Sequence, residues 1–257
     1  MRTLVVLPTY QEAANVAIVL ERLRELVPEA HVLVVDDNSP DGTADIAGAV
    51  ATRSGGIEVL RRPGKSGLRT AYCAGFSVAL SQGYGVVVQM DADLSHDPAA
   101  LPELLDALDT GVDLVLGSRY VPRGEIPDWS WWRRGLSRWG NRYAATVLGL
   151  DVLDATSGFR VYRADVLRRI DLASLRAEGY AFQIEMTYRL AAGGGRIVER
   201  PIRFTERAQG SSKLSAGIIG EALVLVTWWG GRDRLLGLFT RRASKPVAAP
   251  GVGSSSS

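Results

Sequence analysis

The chain has 257 residues, 46% hydrophobic and 23% charged, with a net charge of +2. This size fits one large domain or two small ones, and the charge excludes a nucleic-acid binder driven by bulk electrostatics. A single cysteine, Cys73, excludes an intrachain disulfide framework and fits a reducing cytoplasm. The apolar run at the N-terminus stops at Pro8, too short for a secretion signal, and no uncharged run reaches the ~18 residues of a membrane span.

The first half alternates between two periodicities. Residues 3–8 (TLVVLP) predict a buried strand, and residues 12–27 an amphipathic helix. Residues 31–37 (HVLVVDD) and 57–62 (IEVLRR) predict strands, each followed by a helix, over 41–53 and 66–83. Residues 86–93 (VVVQMDAD) predict a fourth strand. Residues 98–111 predict a helix with Pro98 in its first turn and Asp97 as its cap. Residues 113–120 (DLVLGSRY) close the series as a fifth strand.

Five apolar strands interleaved with helices predict an α/β three-layer sandwich with a mostly parallel sheet. Such sheets place ligands at the carboxyl ends of their strands. That rule selects Pro8-Thr9-Tyr10, Asp36-Asp37, Asp91-Ala92-Asp93 and Ser118-Arg119 as the lining of one crevice.

The second half is less regular. Residues 129–149 predict a helix, 157–163 a short strand or loop, and 181–194 a helix ended by glycines. Residues 196–207 read as strands broken at Pro201, and 216–229 as a helix before a basic segment with Arg232, Arg234, Arg241, Arg242 and Lys245. We expect one unit over residues 1–242, a nucleotide-sugar half to about residue 120 and an acceptor half after it. The low-complexity residues 243–257 are expected to be disordered.

Two carboxylates one residue apart at a strand end can share a hard divalent cation. They can equally form an acid/base pair or cap the following helix. His96, in the turn after them, reads as polar filler. Asp36, Asp37 and Asn38 also fit an Asx turn before SPDG.

Seven segments, in this order, carry a resemblance: VVLPTYQEAANV, VVDDNSPDGTADI, KSGLRTAYCAGF, MDADLSHDP, LVLGSRY, SGFR and ERAQGSSKL. Together they resemble the inverting nucleotide-sugar glycosyltransferases of the GT-A fold, and among them the polyprenol-phosphate (dolichol-phosphate) mannose synthases. The resemblance implies GDP-mannose as donor and polyprenyl phosphate as acceptor, with UDP-glucose or a silent nucleotide-sugar-binding subunit as alternatives. It implies that Pro8, Tyr10 and Glu12 cradle the nucleotide, and that Val35 and Asp37 meet it at the second strand. Asp91, Ala92 and Asp93 would lie against the donor diphosphate, with Asp91 and Asp93 sharing Mg²⁺ or Mn²⁺. Ser95 would be the third ligand where some members carry Gln. Arg119, Arg133, Arg207 and Lys213 would hold and aim the acceptor phosphate, and Arg133 can exchange register with Arg134.

Four of six tryptophans, Trp129, Trp131, Trp132 and Trp139, fall in one segment. On a helix, Trp132, Leu136, Trp139 and Tyr143 share a face, while Arg134, Arg138 and Arg142 share another. An aromatic face beside a basic one predicts an interfacial helix on anionic lipid, and Trp228 and Trp229 repeat the pattern. Covering the sheet is the other reading of these tryptophans. The expected location is peripheral, on the cytoplasmic face of a membrane, with or without a membrane-anchoring partner protein.

Overall fold

The computed structural model describes residues 1–108, 111–206, 216–235 and 237. Its centre is a seven-stranded sheet: β1 (Thr3–Thr9), β2 (His31–Asp36), β3 (Ile57–Arg61), β4 (Val86–Gln89), β5 (Leu114–Ser118), β6 (Arg160–Arg163) and β7 (Ile197–Pro201). The order across the sheet is β3-β2-β1-β4-β6-β5-β7.

The apolar residues of each strand divide between two cores because successive side chains point to opposite faces. Leu4, Val6, Leu33, Val35 and Val87 enter one core. Val5, Leu7, Val32, Val34 and Val88 enter the other. The first core is covered by α3 (Leu68–Ser81), α5 (Trp131–Leu148), α6 (Ala164–Arg169), α7 (Gly179–Ala192) and α8 (Ala216–Leu235). The second is covered by α1 (Val16–Leu26), α2 (Thr43–Ser54) and α4 (Leu101–Asp106). A fully buried Val or Leu stabilises such a layer by roughly 1.5–3 kcal/mol. The layers approach most closely where Gly75 of α3 meets β1. A Cβ there would lie 2.3 Å from Val6 Cγ1.

One detail differs from the sequence expectation, and a second adds to it. Strand β4 ends at Gln89, short of the aspartates, because the Asp91 amide donates to His96 Nδ1 (3.2 Å) instead of continuing a ladder. The fifth strand does not adjoin the fourth. The short segment 160–163 forms β6 between them, antiparallel to both. Its first residue, Arg160, is fully buried and donates to the carbonyls of Ser157 (2.7 Å) and Ala155 (2.8 Å). Those bonds offset the cost of burying the charge, so an arginine can open a central strand.

Because β4 and β5 both oppose β6, they run in the same direction, parallel with β1 and β2. All four carboxyl ends therefore reach one edge of the sheet.

Candidate active site

At that edge the chain leaves β4 in a tight turn, with Leu94 at φ 62°. Asp93 is buried, and its Oδ1 accepts from the Ser95 amide (3.0 Å) and hydroxyl (2.6 Å). Ser95, expected as a third metal ligand, thus turns its hydroxyl to Asp93. Asp91 is half-buried, and its Oδ1 accepts from the Tyr72 hydroxyl of α3 (2.7 Å). Burial, with Asp91 beside it, raises the Tyr72 pKa well above the phenolic range, so Tyr72 is a neutral donor. Ala92, between them, points into the core.

His96 is not filler. It is buried, stacks on Phe159 (5.3 Å) and meets the Phe204 ring edge-on (5.6 Å). Burial lowers its pKa, against the pull of Asp91 and Asp93. The neutral ring accepts at Nδ1 and so fixes the exit of Asp91 from the sheet. Asp97 caps the next turn as expected, accepting from the Ala99 amide (3.0 Å).

The two aspartates ending β2 divide their work. Asp36 makes the turn, accepting from Thr9 Oγ1 (2.8 Å), the Ser39 amide (2.9 Å) and the Ser39 hydroxyl (2.6 Å). Asp37 faces the loop before α3, paired with Arg62 (2.7 Å) and accepting from the Ser66 amide (3.1 Å). Lys65 of that loop stands 4.0 Å over the Tyr10 ring. Glu12 accepts from Asn15 (2.8 Å), and its amide donates to Thr43 (2.9 Å). Pro8 pairs in register with Val35. The Val35 side chain lies in the core beneath α3, so a contact from Val35 to a ligand would come from its backbone.

Arg119, at the end of β5, is 4% exposed. It donates from Nε and Nη2 to both oxygens of Asp154 (2.7 and 2.6 Å), and from Nη2 to Thr156 (2.7 Å). Burial alone would lower its pKa, but Asp154 reverses this and raises it. Glu199 of β7 supports the same loop, accepting from the Leu153 and Asp154 amides (2.7 and 3.0 Å). Arg119 is thus clamped along one edge.

The structure separates Arg133 from Arg134. Arg133 stacks on Trp129 (4.2 Å) and pairs with Glu206 (2.6 Å). It lines a largely apolar cavity of about 110 Å³ between α5, α7 and α8, with Arg119, Trp129, Tyr143, Ile184 and Val226. Trp129 is buried there, and its Nε1 has no hydrogen-bond partner. For Trp129 the packing reading of these tryptophans therefore holds. Trp229 is also buried, stacked on Tyr188 (5.8 Å). Trp131 (84% exposed), Trp132, Leu136, Trp139 and Trp228 remain exposed. Arg207, Lys213 and the expected tail at residues 243–257 lie outside the described residues.

Sequence reasoning missed Tyr72, His96, Arg62 and Asp154. Tyr72 left a signal: it sits on the apolar stripe of α3, and a buried phenol needs a partner. The other three depend on contacts with residues remote in sequence.

A doubly covered α/β sheet, with paired carboxylates beyond its central strand and basic groups beside them, defines a glycosyltransferase of the GT-A class. The family model for Glycosyl transferase family 2 matches residues 4–171, and the chain belongs to that family. It is 51% identical over 241 residues to the undecaprenyl-phosphate mannosyltransferase of Micrococcus luteus, covering 94% of this chain and 99% of that protein. It is 47% identical over 235 residues to the polyprenol monophosphomannose synthase of Mycolicibacterium smegmatis, covering 91% and 89%. The fold is similar to the crystal structure of glucosyl-3-phosphoglycerate synthase from Mycobacterium tuberculosis in complex with Mn²⁺, UDP and glucosyl-3-phosphoglycerate. That likeness has a TM-score of 0.65 at 20% identity, covering 89% of this chain and 79% of that one. Among the described residues no helix is long and apolar enough to cross a membrane.

Proposed function

We propose that this glycosyltransferase moves mannose from GDP-mannose to polyprenyl phosphate, inverting the anomeric centre. The observation that carries this reading is the Asp91–Asp93 turn on the same sheet edge as Arg119, which also lines the apolar cavity with Arg133. The names of the two relatives, both mannose-transferring and both acting with a polyprenyl phosphate or polyprenol, support the substrate class.

The donor half, to about residue 120, takes the nucleotide at the ends of β1 and β2. Asp37 and Tyr10, tied to Arg62 and Lys65, hold the base and ribose side. The turn after β4 fits a hard divalent cation: it offers carboxylate oxygens and no soft donor, and such ions keep places for phosphate oxygens. Bound there by Asp91 and Asp93, Mg²⁺ or Mn²⁺ would neutralise charge on the departing diphosphate. The manganese complex of the structural neighbour accords with this. Ser95 and Tyr72 keep the two carboxylates oriented.

The acceptor half, residues 121–242, needs no general base. A phosphate monoester has its second pKa near ~6 and is largely dianionic at neutral pH. Arg133, with Arg207 and Lys213, holds and aims it; Arg119, its charge balanced by Asp154, supplies a fixed guanidinium edge rather than net charge. A phosphate oxygen then bonds to the anomeric carbon as the bond to the GDP oxygen breaks, and that electron pair leaves with GDP. The apolar cavity between α5 and α8 receives the first isoprene units, with the Trp129 indole N–H as a spare donor.

The polyprenyl tail stays in its bilayer, so the chain works as a peripheral protein on the cytoplasmic face. The exposed Trp131, Trp132, Leu136 and Trp139 of α5, with Trp228 of α8, are the surface for that contact. A panel of radiolabelled GDP- and UDP-sugars, incubated with the pure chain, Mg²⁺ and polyprenyl phosphate, tests the reading. Label should enter lipid from GDP-mannose. Labelling from UDP-glucose alone would reassign the donor, and no labelling would leave a binding subunit or a missing membrane partner.

A further inference from the structure

A second cavity lies on the other side of α5. It is a cleft of about 270 Å³ lined by Arg119, Gly124, Glu125, Ile126, Arg134 and Arg138. A water occupies ~30 Å³, so the cleft has room for a phosphate group and several waters. The loop that forms its wall is folded tightly on β5: a Cβ on Gly124 would stand 2.7 Å from the Arg119 carbonyl oxygen.

The charge here is unusual. Arg134 donates from Nε and Nη2 to the Trp129 carbonyl (3.0 and 2.9 Å), which fixes its guanidinium and keeps Nη1 out of that contact. Arg138 lies 5.4 Å from the Tyr120 ring. Neither has an ion-pair partner among the described residues. They stand one turn apart on the same helix, where like charges repel. Arg119 is neutralised by Asp154, so the cleft's surplus positive charge comes from Arg134 and Arg138. The Glu125 carboxylate is 58% exposed and lies 3.9 Å from Arg203, so it does not cancel them. An anion from outside the chain would.

We propose that this cleft binds the phosphate of an anionic phospholipid headgroup, apart from the reaction centre. The inference rests on the reading of α5 as the membrane face. The helix that carries both arginines also carries the exposed Trp131, Trp132 and Trp139. Interfacial tryptophans sit at headgroup level, so docking on them brings the cleft to the depth of lipid phosphates. Guanidinium groups suit such oxygens because their donors form a planar fork. Arg133, one residue away, faces the apolar cavity instead, so adjacent arginines serve two ligands.

The test is flotation of the full chain with phosphatidylcholine vesicles, with and without phosphatidylglycerol. The Arg134→Gln/Arg138→Gln variant should lose about 30-fold in affinity for the anionic vesicles, the equivalent of ~1 kcal/mol for each arginine. On phosphatidylcholine alone it should match the wild type. Arg138→Gln alone, which spares the Trp129 contact, should show a loss of several fold. A control removes the same charge at the exposed Arg53 and Arg61, on α2 and β3, and should lose far less. Calorimetry with inorganic phosphate and no vesicles should give no saturable binding at millimolar concentration.

Wild-type affinity in the double variant would overturn the proposal, as would an equal loss in the control or no binding of the wild type to anionic vesicles. Saturable phosphate binding that Arg138→Gln removes would also overturn it, assigning the cleft to a soluble anion. Mannosyl transfer by the wild-type chain in detergent, measured in parallel, reports on the proposed reaction independently of the cleft.

Discussion

The two sides of the sheet use their carboxylates differently. On the β1–β4 side, Asp91 meets a neutral phenol, and Asp93 a serine hydroxyl and amide. On the β5–β7 side, Asp154 meets the Arg119 guanidinium through two bonds, the Arg119 amide through a third and Thr156 through a fourth. A neutral donor orients a carboxylate without cancelling its charge, whereas an arginine cancels it and locks the pair in place. The Tyr72–Asp91 contact suits an edge that attracts a cation. The Asp154–Arg119 pair suits a scaffold that holds one arginine still. Removing a carboxylate should therefore cost activity on one side and stability on the other.

The largest effect expected is that of Asp93→Asn. Losing one carboxylate from the turn should lower mannosyl transfer by ~1000-fold, of the order of several kcal/mol of transition-state stabilisation. Thermal unfolding should stay within a few degrees of the wild type. Full transfer by this variant, or transfer indifferent to EDTA, would break the contrast at its catalytic end.

Asp154→Ala should act in the opposite sense. Breaking a buried ion pair costs about 3–5 kcal/mol, because Arg119 is left buried and uncompensated. Urea unfolding should read that loss. The same substitution at Glu21, whose pair with Arg53 is more than half exposed, should cost under ~1 kcal/mol. Acid should reveal the same pair. Burial pushes the Asp154 pKa up, but Arg119 holds it below the ordinary carboxylate value. A depressed carboxylate contributes stability above its unfolded pKa, ~3.9, and loses it as pH falls through the folded value. The acid limb of the wild-type stability curve below that pH should therefore flatten in Asp154→Ala. An unchanged limb would remove Asp154 from the account.

These differences also explain what could be read from residues alone. Strands β1 to β4 and their helices are legible because neighbours in sequence are neighbours in space, and strict alternation marks both faces. The strand-end rule then exposes Asp37, Asp91 and Asp93. The β5–β7 side resists such reading. β6 opens with a buried arginine, whose partners are carbonyl oxygens that no composition reveals. Asp154 sits in a loop whose meaning depends on Arg119, thirty-five residues earlier. His96 depends on Phe159 and Phe204. The tryptophan segment was readable as a helix, but only packing distinguishes buried Trp129 from exposed Trp131.

Arg133→Ala sharpens the comparison within one helix. It should lower transfer by roughly 10- to 100-fold, the range of a lost charge-assisted bond, with GDP-mannose affinity kept. Arg134→Ala should cost much less with a short-chain acceptor in detergent. Equal losses would return the register to ambiguity.

The smallest effect belongs to the surface. Trp131→Ala/Trp132→Ala should reduce vesicle binding by several fold while GDP-mannose affinity holds. Added salt should weaken wild-type binding without abolishing it, because screening acts on the arginines and not on inserted indole. Binding unaffected by either change would move the membrane contact elsewhere.

The most direct test of the central claim is the stereochemistry of the lipid product. Pure chain, GDP-mannose, Mg²⁺ and polyprenyl phosphate should release one GDP for each mannolipid formed. NMR of that lipid should show mannose β-linked to phosphate, inverted from the α-linkage of the donor. An α-linked product would contradict the single displacement, and GDP release without mannolipid would contradict the acceptor.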